Sequence, residues 1–168
     1  SMRTVGLLLL SALMVIPVAT SQQAFVGFYP AFFGSMGIGV LAAVTGTVGS
    51  LQNYNGGTTS PGTSVGTLAS GNVSMGTPAT FRVELDGAQG DQLNVTGTVN
   101  LGGTLELLPT NASPVGTTFI IINNDGNDAV TGTFAGLAQN AEFVADGQRF
   151  GISYTGGDGN DVVLTHVN

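Results

Sequence analysis

The residues best equipped for chemistry lie near the end of the chain, where Gly156–Leu164 (GGDGNDVVL) sets Asp158 and Asp161 three apart in a glycine-rich turn. Turn carbonyls and a carboxylate such as Asp161 are hard oxygen ligands of the kind calcium takes, although sites built on such nonapeptides come in stacked copies. The simpler expectation is a hairpin turn in which both aspartates cap backbone donors, with calcium at Asp158 and Asp161 as the alternative. Glu84 and Asp86, two apart on an expected strand, share a face and have the spacing of an acid–base pair, but no cleft signal accompanies them. His166 stands two residues from the last position and reads as a surface side chain. Asn72, Asn94 and Asn111 each open an Asn-X-Ser/Thr triplet, a pattern that chance supplies in a chain so rich in these residues.

The wider composition removes most other chemistry. The 168 residues include no cysteine and one histidine, so thiol, iron–sulfur and zinc sites lack their usual ligands, and no cofactor or catalytic group is expected. Three basic residues, Arg3, Arg82 and Arg149, stand against 10 acidic ones, giving a net charge of −7. Such a balance offers no footprint for nucleic acid and no polybasic membrane patch.

Charge position divides the chain. No Asp, Glu, Lys or Arg occurs between Arg3 and Arg82, and every acidic residue lies from Glu84 onward. Residues 1–21 contain the apolar run Val5–Val18 after one arginine and before small residues, a pattern shared by a cleaved secretory signal and a retained membrane helix. Residues 22–48 hold a second apolar stretch, Ala24–Val44, whose 21 uncharged residues as a helix would span about 31 Å. On that helix Phe25, Phe28, Tyr29, Phe32, Phe33 and Met36 form one apolar contact stripe. Gly27, Ala31, Ser35 and Gly39 recur every fourth residue as a smooth face for close helix packing in lipid. Arg3 favours a cytoplasmic N-terminus, so a single span would export the residues C-terminal to it.

Residues 49–66 are mostly Gly, Thr, Ser and Asn, and read as a spacer. Residues 67–168 alternate apolar and polar side chains between glycine-rich turns, as in Phe81–Leu85 and Thr104–Leu107, which predicts an all-β domain, sandwich or solenoid. Asp125-Gly126-Asn127-Asp128 returns 33 residues later as Asp158-Gly159-Asn160-Asp161, which predicts two hairpin turns of similar build.

Asp91–Val99, Phe119–Gly126, Val130–Leu137 and Ile152–Thr165 together resemble the C-terminal unit of bacterial autotransporter-associated β-strand repeat proteins, over residues 66–165. The resemblance implies an exported β-helix-like or sandwich module of large surface proteins, with no catalytic residues to carry over. This chain has one such unit and an apolar front end in place of a long repeat array. The resulting expectation is a non-catalytic accessory subunit anchored in a membrane complex, with a respiratory, transport or photosynthetic assembly fitting equally. Its partners would be other protein subunits and lipid, and its β domain would lie on the periplasmic or extracellular side. The alternative is a secreted cell-surface or filament subunit, released by signal cleavage and docking by strand addition.

Overall fold

The computed structural model describes Val40–Leu41 and residues 47–168, all within one compact unit, Ile38–Asn168. The described residues are all-β, without a helix. The described residues wind through four successive coils. The first holds β1 (Val40–Leu41) and β2 (Thr47–Asn53), and the second β3 (Thr58–Thr59) and β4 (Thr67–Met75). The third holds β5 (Thr80–Asp86), β6 (Gln89–Gly90), β7 (Gln92–Val95) and β8 (Val99–Leu101). The fourth holds β9 (Thr104–Asn111), β10 (Thr118–Asn124) and β11 (Thr131–Gly132), after which β12 (Glu142–Ala145), β13 (Gln148–Gly156) and β14 (Asp161–His166) complete the chain.

Each coil pairs in parallel with the next. In one sheet β1, β3, β5 and β9 follow one another, and in the other β2 pairs β4, which pairs β7 and β8; these in turn pair β10 and β11. The register places Leu51 beside Val73 and Val73 beside Val99, and likewise Leu68 beside Leu93 and Leu93 beside Ile122. Like side chains therefore stack in columns, and all of these are buried. The alternation along β5 buries Phe81, Val83 and Leu85 between outward-facing neighbours, and β4 does the same in two runs, Leu68 and Ser70 and then Val73 and Met75, with a slip at Gly71–Asn72. One coil cannot bury its own apolar face, so the stack is the stabilising unit.

The last three strands change the mode of pairing. β10, β14, β13 and β12 run antiparallel in that order, a meander that closes the fourth coil. Phe134 stacks on Phe81 with centroids 5.9 Å apart and planes 3° from parallel. The buried Tyr154 hydroxyl donates to Leu137 O at 2.7 Å and accepts from Phe134 N at 3.0 Å, tying the loop before β12 over the core.

Two expected boundaries shift. Residues 49–66 carry most of β2 and all of β3, both paired to the next coil, where composition suggested a spacer. Within residues 22–48, where a helix is expected, Val40–Leu41 pairs with Thr58–Thr59 and β2 starts at Thr47, and the rest of that stretch lies outside the described residues. In both places a neighbouring coil offers ladder partners to segments that are too short, or too diluted by Gly, Ser and Asn, to hold a strand alone.

Candidate functional site

The two Asp-Gly-Asn-Asp tetrapeptides come together. Residues 158–161 form the turn between β13 and β14, a hairpin as expected. Residues 125–128 do not: they lead from β10 to β11, and β11 joins β8 in parallel, so this copy is a corner of the coil. The same four residues serve both turns because glycine and Asn/Asp supply what either backbone path needs, with Gly126 at φ 112° and Gly159 at φ 121°.

The contacts between them are specific. Asn160 Nδ2 donates to Gly126 O at 3.0 Å and Asp128 O at 3.1 Å, while Asn124 Nδ2 donates to Asp128 O at 2.7 Å. Asn124 N donates to Asp161 Oδ1 at 2.9 Å. Asp161, Asn124 and Asn160 are buried, whereas Asp125, Asp128 and Asp158 are exposed. The Oδ1 atoms of Asn124 and Asn160 are buried and meet no donor. Asp161 thus caps a backbone N–H of β10, outside its own turn. Asn124 and Asn160 were absent from the turn reading; the signal for them was the repeated tetrapeptide itself, preceded in the first copy by another asparagine.

The other candidates are dispersed. Glu84 and Asp86 share the outward face of β5, beside the Arg82–Glu106 ion pair of 2.8 Å that joins β5 to β9. The hollow lined by Thr67, Gly90, Gln92, Thr118, Phe119 and Ile120 contains neither carboxylate, and no acid or base lines it. Among the described residues no three His, Asp or Glu side chains gather as a metal cluster. Asn72 serves the coil itself, its Oδ1 accepting from Thr98 N at 3.0 Å.

His166 is not a surface residue. It is 5% exposed, lies 5.2 Å from the Phe150 ring and donates from Nδ1 to Ser113 O at 2.8 Å, with Ser113 Oγ at 3.1 Å. Proximity to the last residue misled because β14 pairs with β13 up to Phe150 opposite His166, which draws the ring into the cap. Ser113 is buried as well, so its hydroxyl is not presented to solvent as a nucleophile.

Asp91, which the sequence did not single out, is fully buried and accepts from Gly66 N at 2.8 Å and Glu84 N at 2.9 Å. Burial pushes its carboxyl above the ordinary range, and the two N–H bonds pull the other way. Both the apolar stripe Phe25, Phe28, Tyr29, Phe32, Phe33 and Met36 and the smooth face Gly27, Ala31, Ser35 and Gly39 lie outside the described residues. Among the described residues no helix is long and apolar enough to cross a membrane.

Residues 1–72 match the ABC 3 transport family, a family of membrane permeases. The match covers less than half of the chain and includes both apolar stretches, β1 to β3 and the start of β4. No curated protein and no solved structure matches. This corrects the resemblance to autotransporter-associated β-strand repeat proteins, since the family that matches is a transport family and the match lies at the other end of the chain. The Asp-Gly-Asn-Asp motif within that resemblance is turn chemistry that unrelated coils share.

Proposed function

We propose that this chain is a non-catalytic, membrane-anchored component of a transport-related assembly. Its apolar N-terminal segments pack among other subunits and lipid, and its β-coil domain stands on the periplasmic or extracellular side. The similarity of residues 1–72 to a transport family carries this reading. The residue pattern supports it: Gly27, Ala31, Ser35 and Gly39 suit close approach of a neighbouring helix, and the aromatic stripe from Phe25 to Met36 needs cover from water. Arg3 as the sole charge before Arg82 favours export of the chain beyond a single span.

Membrane fractionation with intact mass and N-terminal sequencing tests the reading. A membrane-bound chain retaining Val5–Val18 is the expected result, and in it Gly27→Leu with Ala31→Leu should release copurifying subunits. A chain that starts near Gln22 in the soluble or secreted fraction would overturn the anchored reading and point to a secreted surface subunit.

A further inference from the structure

We infer that the junction of the two Asp-Gly-Asn-Asp turns binds a divalent cation of the calcium class. The first observation is unspent hydrogen-bonding capacity. The amide nitrogens of Asn124 and Asn160 are both committed to the corner at residues 126–128, which fixes which end of each amide is oxygen. The two Oδ1 atoms left over are shut away from solvent without a donor. Asn124 is 0% exposed and Asn160 6% exposed, so bulk water does not compensate them.

Charge is the second observation. Asp125, Asp128, Asp158 and Asp161 bring four carboxylates onto two turns that touch each other. The arginines among the described residues are engaged elsewhere, Arg82 with Glu106 and Arg149 with Glu142. A cation at the junction would answer the orphaned amide oxygens and be favoured by carboxylates that no arginine pairs.

The shape of the turns agrees. Asp161 Oδ2 lies where a Cβ on Gly157 would come within 1.8 Å of it, and Asp128 Oδ1 lies 3.4 Å from the place of a Cβ on Gly126. At Gly157 the absence of a Cβ lets the Asp161 carboxylate lie against the hairpin turn, while Asp128 Oδ1 is in ordinary contact distance of the coil corner. Because no three acidic side chains converge, the ligand set is mixed: amide oxygens, backbone carbonyls and at most two carboxylates. Calcium accepts such an irregular shell of oxygens, magnesium demands a stricter octahedron, and zinc would want nitrogen or sulfur. Few carboxylates imply weak binding, with a Kd of about 0.1–1 mM.

The test is a calcium chloride titration of the full-length protein at constant ionic strength, followed by thermal melting, with magnesium chloride in parallel. The wild type should show a saturable rise of about 4 °C with calcium at tenfold excess over Kd, and little with magnesium. Asp128→Asn, an exposed position whose carboxylate makes no hydrogen bond, should fold normally and shift the calcium midpoint at least about tenfold. Asp146→Asn, in the turn between β12 and β13, should respond as the wild type does. No calcium response up to about 10 mM, an equal response to magnesium, or an unchanged midpoint in Asp128→Asn would each overturn the assignment.

Discussion

A single buried carboxylate holds two coils together at Asp91. One oxygen takes the N–H of Gly66, just before β4, and the other takes that of Glu84 on β5. Burial raises its folded pKa above the unfolded value of about 4, so between those two values the native state holds a proton that the unfolded chain has lost. Its contribution is therefore full below about pH 4 and is lost as pH rises through the raised value. The melting temperature should carry this downward slope as pH rises from about 4 through the raised value, and Asp91→Asn should flatten it. The variant should also lose about 1–3 kcal/mol at neutral pH, since an amide nitrogen replaces one acceptor and leaves a backbone N–H unpaired. An unaltered slope in calorimetric melts of the variant would assign the pH dependence to another group. Nothing in the sequence distinguishes Asp91 from its exposed counterparts, because its environment is assembled by residues 25 positions and seven positions before it, folded around the same point.

At the level of the strands, the alternation of Phe81–Leu85 and Thr104–Leu107 made the β character legible. Whether neighbouring strands run parallel was not, since a period of two is common to hairpins and coils and only the path of the connection separates them. The two Asp-Gly-Asn-Asp copies show this directly: one closes an antiparallel hairpin and the other turns a coil, with identical side chains. A better marker of coiling is glycine recurring where successive coils touch. A Cβ on Gly71 would lie 2.2 Å from Gly49 O in the preceding coil, and Gly97 N donates to Gly71 O at 2.8 Å from the following one. Gly71→Ala should therefore push β2 and β4 apart and cost about 1–3 kcal/mol in a denaturant titration. Gly87→Ala also adds one methyl to a turn, with no atom within 4 Å of it, and isolates the separate cost of its φ of 59°. Equal losses in the two variants would show that coil contact at Gly71 is not what matters.

Coils that touch only their neighbours make stability local, and the molecule as a whole should unfold by increments from its less protected end. Among the described strands β1 and β2 stand at one end of the stack, while the other is closed by the meander of β12, β13 and β14 over Phe81, Phe119 and Phe134. Tyr154 is the fastener of that closure through its bonds to Phe134 N and Leu137 O. Replacing it with phenylalanine keeps the ring against Phe134 but strands a buried N–H and a carbonyl, a loss of about 1–3 kcal/mol. In a fully concerted domain that loss would accelerate amide exchange everywhere by one factor. In a stack it should be largest for β9, β10 and the cap, smaller for β5 and β7, and least for β2. Native-state hydrogen exchange on the wild type and Tyr154→Phe distinguishes the two. A uniform increase from β2 to β14 would mean that the coils behave as one cooperative unit, and a graded one would mean that the capped end can loosen while β2 and β4 stay ordered.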